Sequence, residues 1–211
     1  MIRRLAGIGF FVLASLGFAS APAQAHPHVW VTMTSQLVYA PNGAVTGIRH
    51  SWAFDDMYSA FATEGLAQKK KGVFTREELK PLAEVNVTSL KEFDFFTYAK
   101  IDGQKVALAD PVDYWLEYKD EVLTLHFTLP LKSPVKARTL DVEVYDPTYF
   151  VDFGFAEKSP VSLVGAPAEC KLSFAKPEDA NATSSLPMDE SMFASGNWGA
   201  QFANKISVKC P

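Results

Sequence analysis

The sequence predicts an α+β fold: a mainly antiparallel, β-sandwich-like domain with an inserted helical pair and a C-terminal segment tied by a disulfide. Three observations predict it. Apolar and polar residues alternate in short runs from Val29 onward, the period-two signature of strands with one buried face. Between about residues 55 and 96 the apolar residues recur at helical spacing instead. Finally, the two cysteines, Cys170 and Cys210, form a natural pair that would close a loop of about 40 residues.

Residues 1–25 read as a secretory signal peptide rather than as part of the fold. Arg3 and Arg4 make a charged start, residues 5–18 are apolar apart from glycines and Ser15, and Ala23-Gln24-Ala25 is a small-residue cleavage signal. The apolar run is short for a membrane span, which takes about 20 residues. Cleavage after Ala25 would leave about 186 of the 211 residues, enough for one domain. The expectation is a β-rich domain over residues 26–175, and a loop with a C-terminal extension over 176–211 packed on the same domain. The chain would be periplasmic and not membrane-spanning after cleavage.

The strands follow from parity. Val29, Val31, Met33 and Leu37 share one side of the first, and Ile48, His50, Trp52 and Phe54 share one side of the second. Asn42-Gly43 is a strong hairpin turn between them. With those two as the loop, opposed residues sum to 85, so Ser35 faces His50 and His28 falls opposite about Met57. Asp55-Asp56 then caps a helix that reads onward to a basic C-terminus at Lys69-Lys70-Lys71 and a stop at Gly72. Thr75-Arg76-Glu77-Glu78 is a capping-box pattern opening a second helix, with Pro81 one turn in. Beyond it, Asp102-Gly103 and Lys119-Asp120-Glu121 mark turns between further strands. These run through Tyr98–Ile101, Lys105–Leu108, Val112–Tyr118, Leu123–Leu129, Leu140–Val144, Tyr149–Phe155, Val161–Val164 and Glu169–Phe174, with a last strand at Ile206–Cys210. Residues 176–189 are polar loop, and 189–204 could form an irregular helix.

A formal net charge of -4 offers no basic field for nucleic acid. No G-x-S-x-G, H-E-x-x-H or glycine-rich phosphate loop is present, so the sequence points to binding and not to catalysis. Ligand chemistry is concentrated in His26-Pro27-His28. In an extended segment both imidazoles face one side, and Pro27 keeps His26 extended. Leader cleavage would add the α-amine of His26. Two imidazoles with a carboxylate suit Zn, Ni or Co, and an amine with two imidazoles suits Cu. The hairpin register makes Asp55 the first choice for the carboxylate, alongside its helix-capping role. His50, on an apolar strand face, and Asp146, at a strand end beside Pro147, complete the candidate metal set. His126 reads as a surface or second-sheet residue.

Several phrases resemble the DUF1007 family. They are residues 26–30 (HPHVW), 49–55 (RHSWAFD), 57–62 (MYSAFA), 90–96 (LKEFDFF), 144–150 (VYDPTYF) and the closing 199–205 (GAQFANK) to Cys210-Pro211. Together they cover essentially the whole mature chain. The family is of unknown function. Its members are exported bacterial proteins commonly labelled as the periplasmic component of an uncharacterised ABC-type transport system, some associated with nickel/cobalt-type transporters. The resemblance implies a periplasmic metal-binding accessory working with an inner-membrane transporter, and it carries the ligand roles onto His26, His28 and Asp55. The alternative is a non-catalytic binding or docking module for a small solute or a membrane transporter.

Overall fold

A computed structural model describes residues 27–177 and 196–211. Residues 1–26, which include the expected signal peptide and His26, and most of the 176–189 loop lie outside the described residues. Strands β1 (Val29–Tyr39) and β2 (Val45–Phe54) precede helices α1 (Asp56–Thr63) and α2 (Arg76–Leu90), and a 3-10 segment, Lys91–Phe96, leads back to strand. Then follow β3 (Thr97–Ile101), β4 (Gln104–Val106), β5 (Val112–Lys119), β6 (Val122–Val135), β7 (Thr139–Val144), β8 (Val151–Phe155), β9 (Val161–Val164), β10 (Lys171–Ala175) and β11 (Asn204–Lys209).

One sheet has the order β5-β6-β2-β1-β8, with β9 also paired to β1, and the second has the order β10-β11-β7-β3-β4. Pairing is antiparallel except where β8 and β9 run parallel to successive halves of β1. The inner faces carry Met33, Leu37, Ile48, Trp52, Leu125 and Phe127 from one sheet and Leu140, Val142, Val144, Ile206 and Val208 from the other, all nearly inaccessible and joined in one cluster. Burial of these side chains is the main stabilising term, at about 25 cal/mol per Å² of apolar surface. The Cys170–Cys210 disulfide is present and ties the approach to β10 to the end of β11. The α+β sandwich with its inserted helix pair is therefore as the sequence predicts.

The β1–β2 register holds to the expected sum from Val31↔Phe54 through Ser35↔His50, and shifts only at the Val38/Tyr39 bulge near the turn. Helix α2 opens with the full capping box: Thr75 accepts from the Glu78 amide, and Glu78 accepts from the Thr75 amide. Pro81 lies inside this helix without ending it.

Helix α1 is shorter than the sequence suggests. It stops at Thr63, and the Lys69–Gly72 stretch is loop instead of a helical C-terminus. Thr63 Oγ1 donates back to the Ser59 carbonyl, Glu64 is extended, and Gly65 takes φ +72°, a conformation that ends helices and favours glycine. Of the irregular helix expected over 189–204, the described part is a 3-10 turn at Trp198–Phe202.

Candidate metal centre and adjoining groove

The start of β1 is fixed from two sides. The amides of His28 and Val29 donate to the Phe150 carbonyl at 2.9 and 3.2 Å. Trp30 and Asp55 are joined twice: the Trp30 amide donates to Asp55 Oδ2, and the Asp55 amide donates to the Trp30 carbonyl, each at 2.9 Å. Asp55 Oδ1 meanwhile caps α1 by accepting from the Tyr58 amide at 2.8 Å. The His28 ring is exposed and rests against Phe150, with ring centroids 4.8 Å apart.

The candidate ligands therefore separate by geometry. An ionised carboxylate offers about four lone-pair positions. Each Asp55 oxygen takes one backbone donor in these bonds, which leaves acceptor capacity. Asp146 is 3% exposed, and its four positions are taken by the Thr148 amide and hydroxyl and by the amides of Phe150 and Val151. That local turn satisfies the hydrogen-bonding needs of a buried strand-end carboxylate. His50 is fully buried between Ser35 Oγ, 2.9 Å from Nδ1, and Thr97 Oγ1, 3.3 Å from Nε2. Burial lowers its pKa from the usual 6.5 to about 3, so its ring is neutral and both nitrogens are engaged. The described residues contain no group of three His, Cys, Asp or Glu side chains placed to hold a metal; His26 is outside them.

Two features escaped the sequence reading. Asp152 pairs with Trp30 across the parallel β1–β8 contact, and burial raises the pKa of its carboxyl group. It places a second carboxylate beside the strand start, legible only once β8 is known to lie next to β1. The other feature is on β2 and β6: Ser51 Oγ is 2.8 Å from His126 Nδ1. His126 is a sheet-face residue, as expected, but half-buried. Trp115 stacks on it at 3.9 Å, Arg76 lies over Trp115 at 4.5 Å, and Glu117 is 3.6 Å from His126 Nε2. A serine, a histidine and a glutamate thus meet, but on a central strand paired on both sides. Backbone N–H groups there serve the ladder and are not gathered to stabilise an oxyanion. The contact reads as a cross-strand tie.

Beneath the strand start lies a groove of about 670 Å³, within the range of small-molecule sites. Its floor includes Trp52 and Phe153, its walls come from α1 and α2, and Asp146 and Phe150 close one side. Trp52 is 1% exposed, and its Nε1 has no hydrogen-bond partner among the described residues. Phe61, Val85, Phe93 and Phe150 line the groove while remaining well exposed. Loose packing of that kind around a cavity marks interaction surfaces more often than core.

Comparison with known proteins attaches no activity to this site. The chain is 24% identical over 200 residues to an uncharacterised protein of Haemophilus influenzae, covering 92% of this chain and 95% of that one. It is 31% identical over 93 residues to an uncharacterised 15.5 kDa protein of Spirochaeta aurantia, covering 44% and 66% respectively. Residues 11–210 match the profile of a protein family of unknown function, and the chain accordingly belongs to the DUF1007 family.

Proposed function

We propose that this chain is an exported, periplasmic metal-binding accessory of an inner-membrane transport system, taking a divalent transition metal, Zn, Ni or Co before Cu, at the start of β1. His26 and His28 supply imidazoles and Asp55 the carboxylate. The observation that carries the reading is the double tie between Trp30 and Asp55, which holds a carboxylate with spare acceptor capacity against Trp30, two residues along β1 from His28. The leader-like sequence and the disulfide suit an oxidising compartment. A set of two or three side chains leaves coordination positions open, as transfer to a partner requires. Asp146 and His50 have their acceptor positions engaged within the fold and are the weaker members of the set.

The test is metal content by mass spectrometry on mature protein isolated from the periplasm, beside a His26→Ala/His28→Ala variant. About one equivalent of a single transition metal, lost in the variant, supports the reading. Metal-free protein that takes up none of Zn, Ni, Co or Cu sinks it.

The apolar groove favours a second reading, a binding module for a small solute. Its lining and exposed rim support this independently of the histidines.

A further inference from the structure

The groove carries more information than its volume. Its lining includes eight aromatic side chains, of which Trp52, Phe153 and Phe96 are the most buried. None of the lining residues is a lysine, arginine or histidine, and the one carboxylate among them is Asp146. The four hydrogen bonds to that carboxylate satisfy its lone pairs but leave its negative charge in place. No salt bridge to Asp146 occurs among the described residues. Aromatic faces present their negative quadrupole to a ligand and attract a cation. A desolvated carboxylate nearby adds to this attraction and repels an anion.

We propose that the groove binds an amphipathic organic cation, its hydrocarbon body against the aromatic floor and its positively charged nitrogen toward Asp146. This rests on the solute-binding reading of the groove and, Asp146 apart, uses none of the proposed metal ligands. Because the Asp146 lone pairs are already occupied, recognition of the charged centre is by field and by ring faces, not by a direct salt bridge. A quaternary or otherwise weakly hydrated ammonium fits better than a primary amine, whose own donors would go unmatched.

The test is calorimetric titration of the mature protein with three compounds of matched tail: decyltrimethylammonium, decanol and decanoate, each below the concentration at which it self-associates. The expected order is the cation first, by about tenfold or more over the carboxylate, and the alcohol between them. Phe93→Leu, at the exposed rim, should weaken the cation by about threefold and leave the alcohol nearly unchanged. If none of the three binds, the groove is not a solute site, and both readings of it fall together. If all bind alike, or decanoate binds best, the groove binds solutes but the cation assignment is wrong. If decanol binds best, an acceptor for Trp52 Nε1 governs recognition and the assignment is overturned.

Discussion

Trp30 and Asp55 hold one another by two hydrogen bonds of 2.9 Å, one from each backbone amide. One residue begins the first strand and the other caps the first helix, so a single carboxylate couples the start of the sheet to the first helix. Asp55→Ala removes a helix cap, worth about 1 kcal/mol, and leaves the Trp30 amide without its side-chain acceptor, worth about 1 kcal/mol more. Urea unfolding should show a loss of about 2 kcal/mol. Asp55→Asn, an equally good cap, should recover about half of it. An Asp55→Ala protein as stable as wild type would show that the tie contributes nothing.

Stability should fall in mild acid because of His50. Its folded pKa is lowered to about 3 by burial, whereas the unfolded chain titrates near 6.5. Between those values the unfolded state binds the extra proton, so stability is full above about pH 6.5 and declines as pH falls. The limiting slope from this residue is about 1.4 kcal/mol per pH unit. The pKa of half-buried His126 is also lowered, chiefly by burial, which adds in the same direction. Denaturant midpoints from pH 7 to pH 4 measure the decline, and imidazole NMR assigns it. A His50 ring that titrates near 6.5 in the folded protein contradicts this account.

The connection from α2 to β3 stores backbone strain. Asp94, Phe95 and Phe96 all have φ near +50°, a region costing a non-glycine residue roughly 1 kcal/mol or more. Asp94 is exposed, so Asp94→Gly should relieve strain without losing packing and raise stability by about 1 kcal/mol in thermal or urea unfolding. Phe95→Gly would lose a buried ring and destabilise instead.

The disulfide joins residues 40 apart in sequence, and a loop of that length corresponds to about 4 kcal/mol of stabilisation in the chain-entropy model. A Cys170→Ser/Cys210→Ser variant, or reduction of the wild type, should lower the urea midpoint accordingly. An unchanged midpoint would show that β10 and β11 are held by pairing alone.

Local patterns made much of this fold legible. Alternation, the Asn42-Gly43 turn and the Thr75 capping box act within a few residues, and the hairpin register followed from the turn. For the same reason Ser35 could be placed opposite His50 from sequence alone. The end of α1 was less legible because the lysines at 69–71 imitate a helix terminus, while the operative stop, at Thr63 to Gly65, has weak polar signals. Contacts between distant strands were not legible. Ser51 meets His126 across 75 residues, and Asp152 reaches Trp30 only because β8 pairs parallel to β1. The groove was hidden for the same reason, since its lining is drawn from β1, β2, both helices, the 3-10 segment and residues 146–153.

Equilibrium dialysis tests metal binding at the start of β1 most directly. Metal-free mature protein, with His26 confirmed as its first residue, is dialysed against Zn, Ni, Co and Cu in turn, beside the His26→Ala/His28→Ala variant. Circular dichroism shows that both are folded. The account predicts about one tightly held equivalent in the wild type and none in the variant. Equal uptake by the two proteins, or none by either, would contradict it.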